Sequence, residues 1–357
     1  MSVILAARRT AVVPWGGAFS RLEIEDLAAP VVQALLTEAG ISGGQVDELI
    51  CANALGAGGN PARRVALAAG LPERVAGLSV DRQCAGGLDA ILLARALVES
   101  GAAEVVVAGG VESYSRRPLR LRTDPEGGPA VAYEQARFTP WADRDPGMAE
   151  AAEALALRLG ISRAAQDLWA VQSHAKARVC AGEIVALAGQ QRDVFARGLS
   201  LAVAARAKVV CGSITAANAA VAADAAAFVL VVSDRIAAGR GLRILGGATL
   251  GGDPVEPGLA PVAAIRAVLE RAGVSAQRVA VAEIMEAYAV QAMACVAGAG
   301  LDGARVNPGG GALARGHPIG ASGAVLAVRL FYELQAGIGL AAIAAAGGIG
   351  TALLVER

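Results

Sequence analysis

The residue best suited to covalent chemistry is Cys84, in the stretch "SVDRQCAGGLDAI", where a strand pattern leads into two glycines and a helical pattern. Most cysteines are small buried hydrophobic residues, so structural packing is one interpretation. At a helix N-terminus, however, unpaired N–H groups and the helix dipole stabilise a thiolate and lower the thiol pKa. The glycines would also let a substrate approach the backbone. Cys84 is therefore a candidate nucleophile.

A histidine with a comparable setting is His317, in "NPGGGALARGHPIGASG" between Gly316 and Pro318. The segment is rich in glycine, but its spacing does not match a dinucleotide-binding fingerprint and no acidic partner follows. The imidazole could hydrogen-bond its own loop, or it could serve as a general base beside a nucleophile. Cys84 and His317 lie at matching points of two similar stretches, which favours the second interpretation.

These two stretches are "CAGGLDAILLARALVESGAAEVVVAGG" and "IGASGAVLAVRLFYELQAGIGLAAIAAAGG". Each contains a small-residue loop, a helix pattern with one arginine, a glycine stop, an apolar strand and a Gly-Gly turn. An internal duplication explains this similarity. Helix and strand patterns also alternate elsewhere, which predicts an α/β sheet with helices on both faces.

The middle of the chain has a different character. Its first part is charged and rich in proline and glycine, and two helical patterns follow. We interpret residues 116–210 as an inserted loop domain that could cover a site. The predicted organisation is an N-terminal half formed by 1–115 and 211–234, this insertion, and a C-terminal half formed by 235–357.

Composition narrows the functional class. Of 357 residues, 55% are hydrophobic and 18% are charged, and the net charge is zero, so neither a nucleic acid nor a membrane surface is an expected partner. Five cysteines without a CxxC pair and only two histidines give no metal-binding spacing and indicate reduced thiols. The start of the chain lacks a signal-peptide pattern, so a cytoplasmic location is expected. The apolar stretch 337–355 predicts two buried strands rather than a membrane span.

The chain resembles the thiolase family, the coenzyme A-dependent acyltransferases that make or cleave 3-ketoacyl-CoA. Matching motifs extend over nearly the whole chain and include "DRQCAGGLDA", "AGGVESYSR", "GSITAANAA", "NPGGGALARGHPIGASG" and "AAAGGIGTALLVER". The resemblance implies a thiolase fold of two duplicated α/β halves in five α-β-α-β-α layers, each half with a five-stranded mixed sheet. It also implies a shortened insertion, a homodimer or dimer of dimers, an acyl-CoA substrate, and no permanently bound cofactor or metal.

The same resemblance assigns roles to individual residues. Cys84 would take the acyl group, His317 would be the base, and the N–H groups of Cys84 and Ala346 would form an oxyanion hole, with Glu286 in support. Residues expected to contact coenzyme A are Met148, Ala220, Arg116 and Arg117, although an arginine pair in a loop is more often simply solvated.

Three departures from the family pattern stand out. Ala344 occupies the position of a second catalytic cysteine, which moves the proton at the substrate α-carbon. Met285 replaces an asparagine that holds a water. Met148 lies in Gly-Met-Ala instead of His-Met-Gly, and the serine expected near Ala220 is absent. Three functions remain open: a complete thiolase, a thiolase-like acyltransferase or thioesterase without Claisen chemistry, and a non-catalytic subunit that binds coenzyme A.

Overall fold

A computed structural model describes residues 1–56 and 58–357 of the chain. The strands are β1 (Ser2–Arg9), β2 (Val13–Pro14), β3 (Glu48–Ala52), β4 (Leu78–Val80), β5 (Val105–Glu112), β6 (Arg120–Arg122), β7 (Val131–Tyr133), β8 (Val209–Cys211), β9 (Ile214–Thr215), β10 (Ala223–Ser233), β11 (Leu242–Gly251), β12 (Val279–Ile284), β13 (Ile338–Ala345) and β14 (Ile349–Glu356). The helices are α1 (Ile24–Ala39), α2 (Pro61–Ala68), α3 (Gly86–Glu99), α4 (Met148–Leu159), α5 (Arg163–Lys176), α6 (Leu201–Ala204), α7 (Asp234–Ala237), α8 (Ala260–Ala272), α9 (Ala289–Ala299), α10 (Ala312–Arg315) and α11 (Ile319–Glu333).

The main sheet runs in the order β12-β13-β14-β11-β1-β10-β5-β3-β4, and β2 pairs with one end of β10. The prediction of five strands in each half is wrong for the second half, which contributes four. There the chain that follows β12 forms only a single parallel bridge, between Ala282 and Val306, in place of a fifth strand. The halves join because β1 pairs with β11 at Val3–Arg243 and Ile4–Leu242.

Five layers follow from the way apolar side chains are buried. Helices α3 and α11 lie between the two parts of the sheet, and their Ile91 and Val328 share one core with Val106 of β5 and Leu353 of β14. Helix α1 packs on the outer face of the first part, and α8 packs on the outer face of the second. The predicted α-β-α-β-α arrangement is confirmed.

The two central helices touch at glycines. A Cβ on Gly87 would lie 2.4 Å from the backbone nitrogen of Ala324, and one on Gly323 would lie 2.5 Å from the nitrogen of Leu88. A Cβ on Gly86 would lie 2.8 Å from the Cβ of Ala52 on β3. These glycines therefore make room for neighbouring atoms of the protein itself, and their predicted role in admitting a substrate stays a prediction. This close packing brings the N-termini of α3 and α11 together.

Between β5 and β10 the chain leaves the main sheet. It forms the β6–β7 hairpin, helices α4 to α6 and the small β8–β9 pair, which lies outside the main sheet. The boundaries 116–210 remain a prediction. The apolar stretch 337–355 forms the antiparallel pair β13–β14, as expected. In the part of the chain that the structure describes, no helix is long and apolar enough to cross a membrane.

Candidate active site

The centre of the candidate site is a contact between the two predicted residues. Cys84 Sγ lies 3.2 Å from His317 Nε2. The other ring nitrogen, Nδ1, lies 2.6 Å from the hydroxyl oxygen of Ser322. With a proton on Nδ1 donated to Ser322, Nε2 is free to accept the thiol proton. The pair can therefore activate the sulfur as a nucleophile.

Cys84 is held in a tight turn between β4 and α3. It lies in a single 3₁₀ turn, Gln83–Ala85, which runs directly into α3 at Gly86. The preceding residue, Gln83, has a φ of 49°, a left-handed conformation that is uncommon for a residue with a side chain. The carboxylate of Asp81 stabilises this conformation because it accepts from the Gln83 backbone N–H at 2.9 Å. Such local strain is typical of functional sites.

His317 is positioned by its backbone and by the start of α11. Its N–H donates to the carbonyl of Val221 at 2.7 Å, within a parallel bridge between His317 and Ala222. Two residues into the following helix, the Gly320 N–H donates to the carboxylate of Glu112 at 2.9 Å. The imidazole is thus held between the chain preceding β10 and the C-terminal end of β5.

Both members of the pair are neutral near pH 7. Burial raises the pKa of the Cys84 thiol to about 12, and the charges of Glu112 and Asp81 add to this, while its own backbone N–H opposes it. Burial lowers the pKa of His317 to about 4. The expected depression of the thiol pKa is therefore wrong, because desolvation outweighs the helix terminus. For the sulfur to act as a nucleophile, the thiol proton would have to move to His317, which lies 3.2 Å away.

Two backbone N–H groups are available for an oxyanion. Ala346 begins the turn between β13 and β14, where Gly347 and Gly348 both have positive φ, at 76° and 78°. No oxygen of residues 1–56 and 58–357 accepts a hydrogen bond from the N–H of Cys84 or of Ala346. Both residues line one cavity, so both N–H groups could stabilise a developing negative charge there.

This cavity has a volume of about 400 Å³, and most of the predicted site residues line it. Its walls come from both halves and from the insertion. Its lining includes Cys84, His317, Ala344, Ala346, Met148, Ala220 and Arg117.

The two arginines predicted to contact coenzyme A differ in their placement. Arg117 lines the cavity, with its guanidinium carbon 4.2 Å from the ring centre of Tyr114, and no carboxylate of the described residues forms a salt bridge with it. Arg116 does not line the cavity. It is exposed and pairs with Glu23 at 2.8 Å, so the structure does not bring Arg116 to the site. Neighbours in an irregular segment point in different directions, which the sequence alone did not reveal.

Glu286 is buried beneath the site rather than in the cavity wall. Its carboxylate accepts from the Trp169 indole at 3.0 Å, the Ser173 hydroxyl at 2.7 Å, the Asn307 amide at 2.9 Å and the Leu313 N–H at 3.2 Å. It therefore ties the insertion helix α5 to the segment that leads to His317. These contacts indicate a positioning role, and the predicted support of catalysis stays a prediction.

Met285 also lies away from the cavity. It is 1% exposed and packs in the central core. Its side chain therefore does not contribute to the cavity wall beside Cys84 and His317.

Two family models together match almost the entire chain. Residues 2–235 match the thiolase N-terminal domain, and residues 242–357 match the thiolase C-terminal domain.

The chain belongs to the thiolase family. A Bacillus subtilis (strain 168) protein named "Putative acetyl-CoA C-acetyltransferase YhfS" is 41% identical to it over 375 residues, which cover 99% of both chains. A Staphylococcus aureus (strain MRSA252) protein named "Putative acetyl-CoA C-acetyltransferase VraB" is 35% identical over 383 residues, covering 100% of this chain and 99% of that protein. Fold and similarity thus identify a thiolase-type acyltransferase.

Sequence reasoning missed three residues of this thiolase site. Ser322 orients His317, Glu112 anchors the start of α11, and Tyr288 lines the cavity. Glu112 accepts from four donors, and burial raises its pKa to about 7. Glu112 lies in the motif "AGGVESYSR", and Tyr288 lies in the altered motif that begins at Met285. Their positions within these motifs could have indicated from the sequence that they belong to the site.

Proposed function

We propose that this protein transfers acyl groups from acyl-CoA through a covalent intermediate on Cys84. One observation carries the proposal: a thiol and an imidazole lie 3.2 Å apart in a cavity lined by Cys84 and Ala346, whose backbone N–H groups have no acceptor among the described residues. This set contains a nucleophile, a base and an oxyanion hole, the parts that acyl transfer requires.

The first half of the reaction forms the acyl-enzyme. The Cys84 thiol gives its proton to His317 Nε2 as the sulfur bonds to the thioester carbonyl carbon. The carbonyl oxygen takes the negative charge, which the N–H groups of Cys84 and Ala346 stabilise. Collapse of this intermediate breaks the bond to the sulfur of coenzyme A, and the departing thiolate takes the proton from His317. Acyl-cysteine and free coenzyme A result.

The second half depends on the acceptor. Both relatives are named as acetyl-CoA C-acetyltransferases, which supports acetyl-CoA and 3-ketoacyl-CoA as the reactants here. In that case a carbon–carbon bond forms or breaks next to the acyl group. Ala344 in the cavity wall favours a second candidate, acyl transfer to another acceptor without that bond, because a methyl group moves no proton.

Coenzyme A binds in this proposal as part of the substrate and not as a resident cofactor. Arg117 at the cavity wall offers a positive charge to its phosphates, and Met148 and Ala220 contact the arm that carries the thioester. Arginine suits phosphate recognition because its planar group donates two hydrogen bonds at once.

We also propose a homodimer that works in the cytoplasm, in the metabolism of fatty acyl groups. Strand β4 lies at the edge of the main sheet, with Leu78 exposed, and an edge strand can pair with another copy. The five cysteines are all unpaired, which suits a reducing compartment.

The test is the intact mass of the protein after incubation with acetyl-CoA. We expect the mass of one acetyl group to be added to the wild-type protein and to Cys180→Ala, and no addition to Cys84→Ala. Cys180 is a matched control because it is half-buried, free and outside the cavity lining. An adduct that persists in Cys84→Ala, or no adduct with any acyl-CoA, would contradict the proposal.

A further inference from the structure

Carbon–carbon cleavage of a 3-ketoacyl-CoA requires a proton at a second place in the site. When the bond between C2 and C3 breaks, its electron pair stays on C2, and that carbon must be protonated to give acetyl-CoA. Cys84 and His317 act at C3, and Ala344 supplies no proton. The question is whether another group in the cavity wall can supply one.

Tyr288 is placed next to the reacting pair by the chain that precedes β10. Ala219 bridges to Tyr288, and Ala222 bridges to His317. Because a strand advances about 3.3 Å per residue, these two bridge points lie at most about 10 Å apart. Ala220, between them, lines the cavity, as do Tyr288 and His317. The phenol and the imidazole therefore flank the same stretch of wall.

The hydroxyl of Tyr288 is free to meet a substrate. It has no hydrogen-bond partner among the described residues, and the sulfurs of Cys84 and Cys211 lie near enough to influence its ionisation. Burial raises the pKa of Tyr288 to about 12, and those sulfurs add to the effect. At neutral pH the group is a phenol with an available proton.

None of the other ionisable groups in the wall is bridged to residues 219–222, as Tyr288 and His317 are, and two of them are engaged in polar contacts. Glu256 pairs with Arg158 at 2.5 Å. The ring of Tyr114 lies under the guanidinium of Arg117. Arg120 donates to a backbone carbonyl and is permanently charged. Tyr133 and Glu134 also line the cavity, but they belong to the β6–β7 hairpin and its exit, which form a separate two-stranded sheet.

We propose that the Tyr288 hydroxyl is a catalytic acid that protonates C2 of the departing acetyl-CoA, in place of the thiol absent at Ala344. This inference rests on the proposed function. In cleavage, Cys84 Sγ bonds to C3 while its proton moves to His317, and the C2–C3 bond breaks. C2 takes the Tyr288 proton, and the phenolate regains a proton from the His317 imidazolium, directly or through a water. The net result is the transfer of one proton from Cys84 Sγ to C2, with no change in the total charge of the site.

Hydrogen exchange at C2 reports on the proton transfer between Tyr288 and C2 separately from the acylation of Cys84. The acetyl-CoA methyl group should gain deuterium from D₂O in the presence of acetylated wild-type protein, because the reverse step removes a C2 proton. In Tyr288→Phe we expect exchange and acetoacetyl-CoA cleavage to fall by about 10²–10⁴-fold, the usual contribution of an acid or base. Acetylation of Cys84 by acetyl-CoA, followed by intact mass, should be unchanged.

Two further variants sharpen the test. Ala344→Cys in the Tyr288→Phe background should restore exchange, because a thiol would then line the same cavity. Tyr332→Phe is the matched control, since its hydroxyl bonds to the Ala7 and Gly182 carbonyls outside the cavity lining. Exchange that is unaffected in a folded Tyr288→Phe, with Cys84 still acetylated, would overturn this inference alone. Failure of the wild-type protein to acetylate at all would overturn the proposed function and this inference with it.

Discussion

Cys84 Sγ and His317 Nε2 lie 3.2 Å apart although 233 positions separate them in the chain. The contact exists because α3 and α11 cross at glycines, where backbone meets backbone. Both groups are neutral in this setting, since burial raises the pKa of one and lowers that of the other. The resting site therefore holds a thiol and an imidazole and not an ion pair, which gives the reaction a characteristic dependence on pH.

The rate of Cys84 acylation should be nearly constant from about pH 5 to pH 9. Burial lowers the pKa of His317 to about 4, so its Nε2 stays available as a base throughout this range and is lost only as the pH falls through that value. A histidine of ordinary pKa would lose activity near about pH 6.5. The measurement is the acylation rate with acetyl-CoA at each pH, read by intact mass. An inflection between pH 6 and 7 would contradict the neutral pair.

Ser322→Ala should lower the acylation rate about fivefold without changing KM for acetyl-CoA. The hydroxyl lies 2.6 Å from His317 Nδ1 and holds the ring with Nε2 towards the sulfur, and losing one hydrogen bond costs about 1 kcal/mol. Steady-state kinetics separates kcat from KM. Ser100→Ala, at an exposed helix end, is the matched control. A change in KM alone would show that Ser322 acts on binding and not on the base.

Arg117→Ala should raise KM for acetyl-CoA by about 10-fold or more, because a charge-assisted hydrogen bond is worth about 1.5–3 kcal/mol. Arg116→Ala should leave KM nearly unchanged, since that guanidinium is exposed and pairs with Glu23. The measurement is KM for acetyl-CoA of both variants at low and at high salt. The increase in KM caused by Arg117→Ala should become smaller at high salt, because salt screens the charge of the guanidinium. Equal effects of both variants would contradict the assignment.

Glu286→Gln should destabilise the fold by about 2–4 kcal/mol, because an amide cannot accept from all four donors that surround this carboxylate. We expect a lower Tm together with slower acylation, since the segment leading to His317 loses its anchor. Thermal unfolding and acylation kinetics would be compared with Glu270→Gln, an exposed position on α8. A slower reaction at unchanged Tm would instead point to a direct catalytic role.

Much of the fold was predictable because the signals are local. Helix α1 is an amphipathic pattern that ends at a glycine, and its C-cap Gly40 adopts the left-handed conformation that ends helices. The β13–β14 pair followed from an apolar run with two glycines in its middle. The missing fifth strand in the second half was not predictable, since forming a strand or a single bridge at Val306 depends on the packing of residues distant in sequence.

The sequence by itself determined the family, the choice of Cys84 and His317 as the candidate pair, and the absence of a thiol at Ala344, because these are matters of residue type and motif. Only the tertiary structure decided the protonation of the pair, the separation of Arg117 from Arg116, and the place of Tyr288 in the cavity wall. Those properties depend on desolvation and on distances between groups from different elements. Neither quantity exists until the elements have packed.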